Sequence, residues 1–253
     1  MLPTYNEADN IIQALDNILS QNAHSQQCVI DVLVVDDSSP DNTAGIVRKY
    51  QQTHSQVHLL LRTEKQGLGA AYIAGMIYAL ETFDPDVIIE IDADGQHNPT
   101  DIPRLLQEIT QGADFVIGSR YVKQGRMPDE WKTSRRLLSK AANAYTRVIL
   151  RTGGAKDCTG GFRAIRAEIL RRIDLSKLAV QGYAFQVVLL DAAVRAGATV
   201  VEVPIIFGTR THGESKMRAS DLIKGGASLA QIRVKQLLGT HQTIVDDTRE
   251  VEA

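Results

Sequence analysis

Apolar positions along the chain alternate between two rhythms. Within residues 8–20, Ile11, Ile12, Leu15, Ile18 and Leu19 recur at helical spacing. VIDVLVV (29–35) is then an unbroken β-branched run that drops into Asp36 and Asp37. SSPDNT follows as a turn, Thr43 to Tyr50 read as a helix, and VHLLL (57–61) as a short strand. EKQGLGAAYIAGMIYAL reads as a glycine-rich loop opening a helix. DVIIEI (86–91) is so continuously apolar that burial on both faces is expected. Pro99 to Ile109 form the next helix, DFVIGSR (114–120) another strand and residues 134–150 another helix. This alternation predicts a single α/β domain, a mostly parallel sheet covered by helices on both faces. The closing stretch, HQTIVDDTREVEA, has no periodicity and reads as a loose tail. At the other end only Met1 and Leu2 precede Pro3, so the first strand is expected to be truncated by a trimmed or misassigned start.

Composition narrows the class. The 253 residues are 43% hydrophobic and 23% charged with a formal net charge of −2, which argues against a general nucleic-acid binder. Cys28 and Cys158 are too few for a disulfide framework and lie in no metal-like spacing, so they read as reduced thiols. No apolar run approaches the roughly 18 residues that span a bilayer, and MLPTYNEADN has no signal-peptide pattern. The histidines show no HExxH or paired spacing, so no zinc site is read.

The candidate chemistry sits where strands end. In an open parallel sheet, ligands bind outside the carboxyl ends of the strands. PTYNE, VVDDSSPD and IDADGQ are all placed there. Asp92 and Asp94 are two residues apart, so in extended geometry they share a face. Two carboxylates that close repel unless a cation lies between them, and hard oxygen ligands suit Mg²⁺ or Mn²⁺. A lone D-x-D serves equally as a helix cap followed by a polar turn. Asp36 and Asp37 offer an Asx turn, a ligand contact, or one of each. Gly67 and Gly69 read as a tight start to a helix first and a ligand contact second; neither GxGxxG nor a P-loop is present. Arg120, Arg135, Arg136, Arg210 and Lys216 are cations suited to phosphate. The loop RTHGESK, with Gly213 inside it, is the one best able to fold over a ligand.

LPTYNEADNI, VVDDSSPDNT, KQGLGAAYIAGM, DADGQHNP, GSRY, DCTGGFRAIR, GYAFQ, VEVPIIF and R-THGESK follow one another from residue 2 to about 218. In this order they resemble the inverting family 2 glycosyltransferases of the GT-A (Rossmann-like) fold, and within them the dolichol-phosphate (polyprenol-phosphate) mannosyltransferases. The resemblance implies that Pro3, Tyr5, Glu7, Val35 and Asp37 hold the nucleotide. It implies that Asp92, Ala93, Asp94 and Gln96 form the diphosphate and metal motif, with Asp92, Asp94 and Gln96 around Mg²⁺ or Mn²⁺. Arg120, Arg210 and Lys216 match the sugar-phosphate and acceptor-phosphate end, and Arg135 the acceptor loop. Relatives often carry an acid where this chain has Val188, and no QxxRW motif is found.

The implied activity is transfer of mannose from GDP-mannose to a polyprenyl or dolichyl phosphate, by a peripheral enzyme on the cytoplasmic face of a membrane, held there directly or through a membrane protein partner. A phosphate monoester, with a second pKa of about 6, needs no general base. The catalytic set is then Asp94, Arg120, Arg135, Arg210 and Lys216. Residues 1–217 form the transferase domain, 218–238 an amphipathic segment that either packs on the domain or lies in the membrane interface, and 239–253 the tail. A transferase using a UDP-sugar, such as a polyprenyl-phosphate glucosyltransferase, stays open, as does a regulatory domain that binds nucleotide without turnover.

Overall fold

The computed structural model describes residues 1–24, 28–178, 184–210, 219–238 and 243–245. β1 (Leu2–Thr4), β2 (Val32–Asp36) and β3 (Val57–Leu61) are parallel, with β2 between the other two. β4 (Val87–Glu90), β5 (Phe115–Ser119), β6 (Arg163–Arg166) and β7 (Val200–Pro204) lie in the order β4-β6-β5-β7. β6 runs antiparallel to both neighbours, whereas β5 and β7 are parallel. Met1 joins the two sets. Its amino group donates to the Ile89 carbonyl at 2.7 Å, and Ile91 N–H donates to the Met1 carbonyl at 3.2 Å. Burial pushes that amino group's pKa down to about 5, against the pull of Glu90. A short first strand thus forms and seats β1 beside β4.

Side-chain alternation sorts each strand between two cores. Leu33, Val35, Phe115, Ile117 and Ile165 face one, with α3 (Leu68–Thr82) and, after α6 (Ala167–Arg171), α7 (Ala184–Arg195). Val32, Val34, Val116 and Ala164 face the other, with α1 (Ile11–Leu19), α2 (Thr43–Gln51) and α4 (Ile102–Thr110). This double burial is why β2 and β5 read as unbroken apolar runs. α3 crosses β2 closely: a Cβ on Gly75 would stand 2.8 Å from a Val35 methyl carbon. Most helices and β2 to β5 fall where the hydrophobic rhythm places them, and β1 is the short first strand. β6 and β7 were not anticipated. β6 is only RAIR, with an arginine at each end, and its place between β4 and β5 comes from pairing partners far away in sequence.

α8 (Ala219–Leu237) continues through Gly225 and Gly226 without a break. Leu229 and Ile232 are buried against the domain, and the Tyr145 hydroxyl on α5 (Thr133–Ile149) donates to the Gly226 carbonyl at 3.0 Å. Asp191 ties the same corner together, accepting from Arg195, from Gln236 on α8 and from Arg151 N–H. Val234, Leu237 and Leu238 remain exposed. The described part of the last stretch is not loose: Thr243–Val245 pairs with the chain around Ile173, with Asp174 N–H donating to the Thr243 carbonyl at 2.8 Å. Cys28 is exposed and Cys158 buried, neither in a disulfide, and burial pushes the Cys158 thiol up to about 12.

Phe115 is fully buried on β5, between β6 and β7, its ring beside the Arg163 guanidinium. Phe115→Ala is expected to cost about 3–5 kcal/mol, read as a lowered denaturation midpoint with an unchanged m-value.

Candidate active site

The acidic pair is delivered by a turn rather than by strand alternation. β4 ends at Glu90, and Ala93 and Asp94 lie in the turn that follows, where Asp94 Oδ1 accepts Gln96 N–H at 3.0 Å. The extended geometry expected for Asp92 and Asp94 is therefore replaced by a tight reversal. It still brings both carboxylates to one cavity of about 180 Å³ at the carboxyl end of the sheet. Tyr72 O–H donates to Asp92 Oδ1 at 3.2 Å. Burial raises the Asp92 pKa to about 6, with Tyr72 and Arg210 pulling it down and Glu7 pushing it up. Burial and the Asp92 charge raise Asp94 as well. Two buried carboxylates in that state favour a cation. In the protein alone Arg210 fills this role, its Nη2 lying 3.0 Å from Asp94 Oδ2. Gln96 ties the two loops together. Gly208 N–H donates to the Gln96 carbonyl at 2.8 Å, and Gln96 Nε2 donates to the Gly208 carbonyl at 3.1 Å. The side-chain oxygen of Gln96 is thereby left as an acceptor.

Arg120 leaves β5 and enters the same cavity. Asp157 grips it bidentately, accepting from Nε and Nη2 at 2.7 Å each, and it also accepts from the backbone N–H groups of Arg120 and Gly160. Burial would raise the Asp157 carboxyl, but Arg120 outweighs burial and holds it below the usual range. Asn143 on α5 pins the same loop by accepting Cys158 N–H at 2.7 Å. Arg163 Nε, Nη1 and Nη2 donate to the carbonyls of Gly160, Gln186 and Cys158. Arg135 stacks over Trp131, its guanidinium carbon 4.0 Å from the ring centroid. His97 is buried between Phe162 and Phe207, and burial pushes it down to about 4.

The cavity thus gathers Asp92, Asp94, Gln96, Arg120, Arg135 and Arg210, with Trp131, Leu138 and Phe207 as an apolar wall. Ala93 is buried in the core beside them. Pro3, Tyr5, Glu7, Val35 and Asp37 do not line it. Pro3 is buried within β1. Tyr5 has the Lys65 ammonium 3.5 Å above its ring, and Glu7 accepts from Asn10 Nδ2 at 2.8 Å. Val35 points into the core under α3. Asp36 is the turn acid, accepting from Thr4, Ser39 N–H and Ser39 O–H, while Asp37 pairs with Arg62 at 2.5 Å. Gly67, at φ 95°, begins α3 as a tight turn. Arg136 donates to the Pro128 carbonyl at 2.7 Å. Lys216, Gly213 and the rest of residues 211–218 lie outside the described residues.

Sequence reasoning gave no role to Asp157, Arg163, Gln186, Tyr72 or Glu90. The first three sit inside DCTGGFRA and GYAFQ, which were noticed only as motifs. The signal for Glu90 was available: a lone acid inside an apolar strand demands a buried partner. That partner is Arg163, 3.9 Å away, with both side chains fully buried. Among the described residues no three His, Cys, Asp or Glu side chains converge as a closed metal cage. No described helix is long and apolar enough to cross a membrane.

Carboxylates and guanidinium groups thus face one another at the strand ends of an α/β sheet. Residues 1–174 match glycosyl transferase family 2, and the chain belongs to that family. It is 39% identical over 246 residues to the polyprenol monophosphomannose synthase of Mycolicibacterium smegmatis, covering 97% of this chain and 90% of the relative. It is 45% identical over 217 residues to the undecaprenyl-phosphate mannosyltransferase of Micrococcus luteus, covering 86% of each. In fold it is similar to mannosyl-3-phosphoglycerate synthase of Rubrobacter xylanophilus, with a TM-score of 0.66 at 19% identity over 98% of this chain and 76% of that one. It is also similar to glucosyl-3-phosphoglycerate synthase of Mycobacterium tuberculosis in complex with Mn²⁺, UDP-glucose and glycerol 3-phosphate, with a TM-score of 0.58 at 19% identity over 97% and 80% of the two chains. These two likenesses concern the fold, which is GT-A.

Asp157→Ala strands the Arg120 charge without its counter-ion in a buried setting. A loss of about 3–5 kcal/mol is expected, measured by thermal or denaturant unfolding.

Proposed function

We propose that the protein transfers mannose from GDP-mannose to a polyprenyl phosphate of the dolichyl type, inverting the anomeric centre and using Mg²⁺ or Mn²⁺. The observation that carries this reading is the cavity's charge arrangement: two carboxylates face three guanidinium groups, and a divalent cation would claim both carboxylates, leaving no general base among the described lining residues. His97 is held neutral with a pKa near 4 and is walled in by aromatic rings. A sugar hydroxyl acceptor would need a base there, whereas a phosphate acceptor arrives already deprotonated. The names of the two curated relatives point the same way.

The donor set suits a hard divalent cation. Asp92, Asp94 and the free oxygen of Gln96 supply part of a coordination sphere and leave the rest to water and diphosphate, as Mg²⁺ and Mn²⁺ sites do. Arg210 already stands on Asp94 as a substitute cation. Bound there, the metal would act as a Lewis acid on the leaving diphosphate. Arg210, freed from Asp94, would turn to phosphate together with Lys216 from the same loop. Arg120 keeps Nη1 clear of Asp157, and with Arg135 it would hold the acceptor phosphate in line with the anomeric carbon. Trp131 and Leu138 offer the first isoprene unit an apolar wall. Tyr5, Glu7 and Asp37, just past the ends of β1 and β2, would form the nucleoside side, with Pro3 and Val35 buried behind them. The enzyme would work at the cytoplasmic face of a membrane, with the exposed Val234 and Leu237 of α8, and Leu238 just past its end, meeting the interface.

A donor panel with Mg²⁺ and a short polyprenyl phosphate, read by mass, tests the reaction. GDP-mannose is expected to give a product at least tenfold faster than UDP-glucose, and Asp94→Asn to lower kcat/KM by about 100-fold or more. Preference for UDP-glucose would reassign the donor, and near-normal turnover of Asp94→Asn at saturating Mg²⁺ and Mn²⁺ would remove the metal assignment. The pH dependence follows from Asp92. A proton competes with the cation below the Asp92 pKa of about 6, so Mg²⁺-dependent GDP binding should weaken as pH falls. Calorimetric titration should give a Kd about tenfold higher at pH 5 than at pH 7.5.

A further inference from the structure

Gln186 lies in the first turn of α7, 2% exposed, and neither atom of its side-chain amide has a hydrogen-bond partner in the protein. Buried amides are rarely left so, because each unpaired group carries a desolvation cost. The backbone there is not loose: Arg163 holds the Gln186 carbonyl at 2.5 Å. Its polar neighbour in the protein is Glu90, whose carboxyl the amide draws down against the push of burial; the pair stands outside ordinary hydrogen-bond geometry, and both Glu90 oxygens are without a hydrogen bond as well.

What the amide faces is the cavity. Gln186 lines it with Asp92, and Gly161 lies between them. A Cβ on Gly161 would stand 3.6 Å from Asp92 Oδ2 and 3.6 Å from Gln186 Nε2. The space above Gly161 is therefore bordered by a carboxylate acceptor on one side and an amide donor on the other, with no side chain as its floor. One hydroxyl matches that pair: it donates to Asp92 and accepts from Gln186 Nε2. The acid turn that would carry the donor's diphosphate is adjacent, so the group brought here is the donor's sugar. We propose that Gln186, over the Gly161 floor, reads one hydroxyl of the donor hexose and so takes part in choosing the sugar. An epimer or deoxy analogue that withdraws this hydroxyl would leave the buried amide unpaired, which is how a polar pocket rejects a near-isostere. This rests on the donor reading given above.

The test compares GDP with GDP-mannose, both with Mg²⁺, by calorimetric titration of the full chain. Gln186→Ala should weaken GDP-mannose about tenfold or more while GDP stays within about twofold of wild type. Gly161→Ala is the second variant: its methyl makes only ordinary contacts with the protein but occupies the hydroxyl's place, so the same split is expected. Among monodeoxy GDP-mannoses, one should bind wild type about tenfold more weakly yet bind Gln186→Ala no more weakly than GDP-mannose does. Equal weakening of GDP and GDP-mannose in both variants would mean a structural role and overturn the proposal. So would unchanged GDP-mannose affinity in both variants. If wild type itself prefers no sugar nucleotide over GDP, the donor reading falls and this proposal with it.

Discussion

A single buried cation, Arg163, organises the catalytic end of the sheet. Its guanidinium donates to the carbonyls of Gly160 and Cys158, loop groups that no helix or strand satisfies, and to that of Gln186 in the first turn of α7, and Glu90 balances its charge from β4. Burying such a pair costs solvation on both partners, and Coulomb attraction alone does not recover it. The three carbonyl contacts change the balance, because an irregular loop could not otherwise be buried here. Burial lowers the Arg163 pKa and pushes Glu90 up to about 7, so the interior tolerates these charges only as a set. The 157–161 loop, which Asn143 also pins, and the start of α7 are tied together by this one side chain.

Everything in the cavity then hangs on groups held from behind. Asp157, on the loop that Arg163 pins, aims Arg120. Tyr72 steadies Asp92, and Gln96 couples the acid turn to the strand of chain that carries Arg210. A site for two anions must concentrate positive charge without collapsing onto its own carboxylates. Here each arginine has a separate restraint: Asp157 for Arg120, the Trp131 ring for Arg135 and Asp94 for Arg210. Only the last of these restraints is a group that a metal–diphosphate ligand would itself claim. Arg210 is accordingly the cation that such a ligand would release, while Arg120 is held by a carboxylate outside the acid turn.

Much of the fold was legible in the chain. The apolar runs of β2 and β5 announced strands buried on both faces, and the helical stripes of α1 and α4 were plain in spacing alone. β6 escaped because RAIR is four residues long and owes its place to pairing with β4 and β5. The site divided in the same way. Asp92, Asp94, Gln96, Arg120, Arg135 and Arg210 were visible as strand-end acids and loop cations. Their shared cavity was expected, although strand alternation was the wrong reason for the acids to share it.

By itself the sequence determined the class of protein, the double-sided core and the types of charge at the strand ends. These follow from periodicity and residue chemistry, which are local properties. Only the tertiary structure decided which charges are spoken for. That Asp157 neutralises Arg120, that Glu90 answers Arg163 and that Gln186 is left with an open amide are matters of distance between residues 20 to 100 positions apart. No local pattern encodes such distances, because desolvation acts on whatever the fold brings together, regardless of its order along the chain.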